Sequence, residues 1–178
     1  MATATALTTP TDTLTDPERG LLGCLMQLPA TAARPVLTGM RADDLAGPVA
    51  APVLQLVIEL VADDVAPAPV AVYAHAVSTG RAPGEQRREW LSGWLIDAYR
   101  DAPPAALAGH LKTVVLEAAW RRALYAHTVR IGQALDSTDP HVLRELADDG
   151  MTAAENVWRR YRAALSTEDT VPGLGVAA

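Results

Sequence analysis

Apolar residues recur every three or four positions along almost the whole chain, from Asp16 to Leu165. This spacing is typical of amphipathic α-helices, whereas the strict alternation that marks a half-buried strand is rare here. The chain has no phenylalanine, and much of its apolar fraction is alanine. Helices with small side chains can approach each other closely. The sequence therefore predicts an all-α fold.

Proline, glycine and aspartate mark the ends of the predicted helices. Asp16 suits the N-cap of a first helix, because Pro17 follows it at the first helical position. Pro29 ends the pattern of this helix. Trp90, Trp94 and Leu95 share one face of a later helix. Between Pro29 and the proline pair at 103–104, the pattern predicts helices at 30–37, 48–62, 70–77 and 85–99.

Two long helices are predicted after the proline pair, at 105–135 and 140–165. Asp139 and Pro140 restart the chain as N-cap and first helical residue, and Gly150 is the weak point of the second helix. Two long helices joined by a short turn form an antiparallel hairpin. We therefore predict a disordered tail at 1–14, a small helical bundle at 15–105, a C-terminal antiparallel helical hairpin at 106–165 and a second disordered tail at 166–178.

The charge and the cysteine content exclude several classes of protein. The net charge is −6, which argues against a chain that binds DNA or RNA through its overall charge. The single cysteine, Cys24, excludes an internal disulfide framework and fits a reducing cytoplasm. The first fifteen residues lack the features of a signal peptide, and no apolar run is long enough for a membrane span. We expect a soluble, cytoplasmic protein without a membrane partner.

No group of residues in the sequence predicts catalysis or a cofactor. The four histidines lie on different predicted elements, without the local spacing of a metal site. Pairs of aspartates fall at turns and helix ends, where aspartate usually caps helices. No phosphate-binding loop of the form G-x-x-x-x-G-K-[ST] occurs. The sequence thus predicts no catalytic, cofactor-binding or metal-binding residue, and we expect a protein that is not an enzyme.

The order of the motifs resembles the N-terminal domain of the DnaB family of replicative DNA helicases. The segment PERGLLGCL at 17–25 is similar to the opening helix of that family, and Asp44-Leu45 with Gly47-Pro48 is similar to its Asp-Phe…Pro turn. The segment PPAALAGH at 103–110 is similar to its Pro-Ser-Ala-Ala-Asn stretch with a later histidine. Asp139-Pro140 and the segment from Ala154 to Trp158 are similar to its second hairpin helix. The resemblance covers residues 16–163.

This resemblance implies a role in DNA replication without the family's ATPase activity. The chain departs from the family at Leu45 and Leu107, where the family has Phe and Asn, and it lacks the ATPase half. The resemblance implies a free-standing module of the primosome that assembles with copies of itself. It would dock a replicative helicase, a primase or a loader, and would meet nucleic acid only indirectly.

The hairpin carries the residues that we expect at an interface. A projecting hairpin exposes an apolar face that it cannot cover by itself, and such faces usually mark protein contacts. The predicted interface residues are Leu111, Val115, Trp120, Tyr125, Met151, Trp158 and Tyr161. The arginine cluster Arg159, Arg160 and Arg162 supplies candidate phosphate contacts, and the alternative function is therefore a DNA-binding regulator that uses this cluster.

Overall fold

The computed structural model describes residues 16–135 and 139–168, and these residues form an all-α structure without strands. The predicted tail at 1–14 and most of the tail predicted at 166–178 lie outside the described residues. Single 3-10 turns at Ala42–Asp44 and Ala105–Leu107 precede α3 and α6. The helices are α1 (Pro17–Met26), α2 (Ala30–Leu37), α3 (Ala50–Ala62), α4 (Pro69–Ser78), α5 (Glu85–Arg100), α6 (Ala108–Ala134) and α7 (Pro140–Glu168).

Helix α1 is the central helix of the bundle. All its residues from Gly20 to Met26 are buried, and its start is capped as predicted, because the Asp16 carboxylate accepts a hydrogen bond from the backbone N–H of Arg19 at 3.1 Å. The Cys24 thiol lies 3.3 Å from the Pro103 carbonyl oxygen, and burial raises its pKa to about 11. Cys24 is therefore a buried, protonated thiol that packs where the chain enters α6.

Gly23 lets α1 and α5 approach each other closely. A Cβ atom at this position would collide with the Ala98 carbonyl oxygen and would lie 2.5 Å from the Cβ of Ala102. The core is filled mainly by leucine and valine, with a smaller number of alanines. The largest fully buried aliphatic side chains are Leu21, Leu22, Leu25, Val53, Leu54, Val57, Val72, Leu95, Val115 and Leu116.

A polar network ties α3 to α4 and to the loop that follows α4. The Glu59 carboxylate accepts two hydrogen bonds from the Arg81 guanidinium, at 2.8 and 2.9 Å, and one from the Gln55 amide at 2.8 Å. The His75 Nε2 atom lies 2.7 Å from the same carboxylate. The paired Arg81 guanidinium is the main reason why the pKa of Glu59 falls from 4.5 to about 2, and burial opposes this shift.

The long helices α6 and α7 lie side by side and run in opposite directions. Trp120 contacts Trp158, and one level further along His127 packs against Gly150. Helix α7 continues without a break through Gly150. This glycine leaves room for the His127 ring, since a Cβ atom at this position would collide with the imidazole. The start of α7 agrees with the sequence, since the Asp139 carboxylate accepts a hydrogen bond from the His141 N–H at 2.8 Å.

We predict that Gly23→Ala destabilises the bundle. The added methyl group must push apart α1 and α5, and overpacking of this kind costs about 1–3 kcal/mol of unfolding free energy. Urea denaturation followed by circular dichroism measures the loss. Gly93→Ala on α5 is the matched control, because no atom lies within 4 Å of its added Cβ and alanine favours a helix by about 0.5–1 kcal/mol. An equal effect of the two substitutions would contradict the close packing of α1 and α5.

We also predict a contribution from Glu59 to stability that depends on pH. Its pKa is lower in the folded chain than the ordinary value of 4.5, so the contribution is complete above pH 4.5 and is lost as the pH falls towards about 2. The difference in urea midpoint between the wild type and Glu59→Gln should therefore shrink across this range. The same difference for Glu117→Gln, which removes an exposed i,i+4 pair with Arg121, should stay small throughout.

Candidate protein-interaction site

The junction between the bundle and the α6–α7 pair is formed by a buried carboxylate. Asp44, in the 3-10 turn before α3, is 1% exposed. Its Oδ2 atom accepts hydrogen bonds from the Arg160 guanidinium on α7, at 2.5 Å, and from the backbone N–H of Arg41, at 2.7 Å. Arg160 also donates to the Gly39 carbonyl oxygen at 3.2 Å. The pair is short and largely desolvated, so it fixes the position of α7 on the bundle.

Helix α6 is attached to the bundle by two further cationic side chains. Arg122 donates to the Asp44 carbonyl oxygen and lies 3.4 Å from the Glu18 carboxylate, which in turn accepts the backbone N–H groups of residues 46 and 47. Lys112 donates to the Thr38 carbonyl oxygen at 2.8 Å. Burial lowers the pKa of Lys112, and the charge of Asp44 opposes this shift. Cations from both long helices thus converge on one acidic turn.

An aromatic cluster of Trp120, Trp158 and Tyr161 covers the line of contact between α6 and α7. The ring centroids of Trp120 and Trp158 are 4.7 Å apart, and those of Trp158 and Tyr161 are 5.4 Å apart, both in tilted arrangements. Such pairs add favourable contact beyond their buried area. The cluster is not enclosed, since Trp158 remains 36% exposed. It therefore joins the two helices and still presents aromatic surface.

One side of α6 packs against the bundle in the N-terminal part of the helix and is exposed in its C-terminal part. Leu111 and Val115 pack against the bundle core, and Arg122 reaches the acidic turn. One turn further along the same side, Tyr125 is 73% exposed, and Val129 is also exposed. A helix keeps residues three or four apart on one face, so these side chains form one stripe. The stripe extends past the part of α6 that the bundle covers.

The predicted interface residues therefore occupy three different environments. Val115 is fully buried and Leu111 is half-buried, so both belong to the packing of α6 on the bundle, where Val115 offers no surface to a partner. Trp120, Trp158 and Tyr161 form the aromatic cluster. Tyr125 and Met151 are exposed on the outer parts of α6 and α7.

The three candidate phosphate contacts are also separated by the fold. Arg159 and Arg162 are exposed, and Arg159 donates to the Asn156 side chain. Arg160 instead pairs with the buried carboxylate of Asp44, which occupies its guanidinium. The sequence pattern missed this role, because the two partners are 116 positions apart and no local spacing connects them. The part of the chain that the structure describes shows no cluster of His, Cys, Asp and Glu that could hold a metal ion.

The arrangement of helices is similar to that of a solved structure, the N-terminal domain of DnaB helicase from Mycobacterium tuberculosis. The TM-score is 0.67, the sequences are 24% identical, and the match covers 78% of this chain and 94% of that one. The fold is DnaB-like. The resemblance predicted from the sequence is thus confirmed at the level of the fold. No model of a known protein family and no curated protein matches the sequence.

Within residues 16–135 and 139–168, no helix is both long enough and apolar enough to cross a bilayer. Even α6 and α7, the longest helices, carry charged side chains along their length.

We predict that Asp44→Asn destabilises the protein by about 3 kcal/mol, because removing one partner of a buried ion pair leaves the other charge uncompensated. Chemical denaturation measures the loss. The double variant Asp44→Asn with Arg160→Met should recover part of it, which a double-mutant cycle detects. Arg159→Ala, at the neighbouring exposed position, should change the unfolding free energy by no more than about 0.5 kcal/mol. Additive effects of the Asp44 and Arg160 substitutions would contradict the coupling.

Proposed function

We propose that this chain is a non-catalytic assembly and docking module of DNA replication. It associates with further copies of itself through the outer part of α6 and α7, and it docks a replicative helicase, a primase or a loader in the cytoplasm. The proposal combines the DnaB-like fold with surface that the isolated chain leaves uncovered.

The main support for the proposal is the exposed outer half of the α6 stripe, which contains Tyr125 and Val129. The stripe packs against the bundle before Arg122 and is exposed after it. Only its outer part therefore has no covering element. Water contact with such a stripe is unfavourable, and burial of apolar surface against a partner stabilises by roughly 25 cal/mol per Å². Val142, Leu135 and Met151 add exposed apolar side chains near the same end of the helix pair.

The aromatic cluster supports the same role. Tryptophan and tyrosine contribute large contact areas with few rotatable bonds, and they are frequent at the centres of protein interfaces. Here Trp158 is held in place by Trp120 and Tyr161. A partner would therefore meet a preformed surface, so little side-chain entropy would be lost on binding.

We predict that the wild-type chain forms a dimer or a higher oligomer at micromolar concentration, and that Tyr125→Ser and Trp158→Ala each shift it towards the monomer. Size-exclusion chromatography with light scattering measures the mass. Tyr125 is 73% exposed, so Tyr125→Ser should leave the fold intact. Trp158→Ala also removes ring contacts between α6 and α7, so circular dichroism must show that its helical content is retained. Mixing the wild type with a purified replicative helicase extends the measurement to docking, where a joint species is expected.

The matched control is Val70→Ser, which removes a 75% exposed apolar side chain from α4 on the bundle. The mass of this variant should equal that of the wild type. A wild-type chain that stays monomeric at every concentration would contradict the proposal. So would a loss of assembly in Val70→Ser as large as that in Tyr125→Ser.

A further inference from the structure

A groove of about 460 Å³ lies on the bundle between the start of α3 and the first turns of α5. Three of its apolar lining residues, Val49, Val53 and Leu91, also pack towards the core, and its rim is polar. The lining residues are Pro48, Val49, Val53, Leu91 and Trp90, and the rim residues are Arg81, Gln86 and Arg87. The groove is built from elements other than α6 and α7.

Trp90 forms one wall of the groove and is half-exposed to solvent. Leu91 and Leu95 on the same helix are buried, and Trp94 packs against the core, whereas Trp90 remains 50% exposed. The sequence placed Trp90 with Trp94 on one apolar face, but the fold leaves Trp90 at the edge of that face. An exposed indole beside an apolar cleft is a typical anchor for a bound side chain.

One uncompensated positive charge lies on the rim of the groove, although the chain as a whole is acidic. Two arginines and no carboxylate line the groove, whereas the net charge of the chain is −6. The charge of Arg81 is offset by its ion pair with Glu59, whereas Arg87 is exposed and has no ion-pair partner among the described residues. This charge distribution favours an occupant that carries carboxylates.

Hydrogen bonds hold the loop beside the groove. Arg81 is held by its two hydrogen bonds to Glu59, and Arg88 donates to the carbonyl oxygen of the buried Ala82 at 3.1 Å. These contacts connect the loop between α4 and α5 to α3 on one side and to α5 on the other. A preformed cleft loses little entropy when a short segment binds.

From these observations we propose that the groove binds a short acidic peptide segment of a protein partner, with one large apolar side chain beside its carboxylates. The apolar side chain packs on Trp90 and Val53, and a neighbouring carboxylate pairs with Arg87. The apolar lining favours a peptide side chain over the charged backbone of a nucleic acid strand. This site goes beyond the assembly role and does not depend on it.

The test uses the full chain and a fluorescein-labelled peptide with one phenylalanine flanked by aspartates. Fluorescence anisotropy should show binding that weakens with added salt, and the indole N–H resonance of Trp90, assigned from its loss in Trp90→Ala, should shift in NMR spectra. Arg87→Glu should weaken binding about tenfold. The matched control Arg144→Glu, at an 83% exposed side chain on α7, should leave the affinity unchanged, as should Tyr125→Ser.

Three results would overturn the proposal. One is a lack of specific binding, seen either as no shift at Trp90 up to millimolar peptide or as an equal affinity for the matching lysine peptide. Another is displacement of the peptide by a single-stranded oligonucleotide whose binding also depends on Arg87, which would make the groove a nucleic-acid site. The third is dissociation of the oligomer by Trp90→Ala, which would show that a second copy of the chain occupies the groove.

Discussion

An ion pair between Asp44 and Arg160 fixes how the long helices stand on the bundle. The carboxylate is almost completely removed from water, so its charge requires a partner, and α7 supplies that partner from a distant part of the sequence. Arg122 and Lys112 attach α6 to the same region. Since these contacts are charged and directional, they define one angle and one register for the helix pair, which apolar packing alone would define less strictly.

That junction decides which surfaces remain free. It holds the first part of α6 on the bundle and leaves Tyr125 and its neighbours beyond the covered part. The groove beside Trp90 is separate, because it is formed by α3, α5 and the loop held by Glu59. The two surfaces differ in chemistry: one is apolar and aromatic, and the other is an apolar cleft with a basic rim. Their separation is what allows the proposed self-assembly and the proposed peptide docking to be tested independently.

Local patterns predicted the helices closely, and they predicted the site only in part. The helix at 30–37 and the caps Asp16 and Asp139 agree with the structure, because capping and helical periodicity depend on residues that are near in sequence. Gly150 illustrates the limit. In isolation it is a weak helix former, but the structure places the His127 ring against it, and α7 runs through it unbroken. The burial of Val115 and the pairing of Arg160 likewise depended on contacts between distant segments.

The sequence by itself determined the all-α class, the positions of the helices and the resemblance to the DnaB family, because these follow from apolar spacing, caps and the order of motifs. Only the tertiary structure decided which half of the α6 stripe is covered, which arginine is committed to a buried acid and where Trp90 meets a cleft. An amphipathic helix shows the same pattern whether its apolar face meets its own bundle, a partner or water. Its surroundings in the folded chain make that choice.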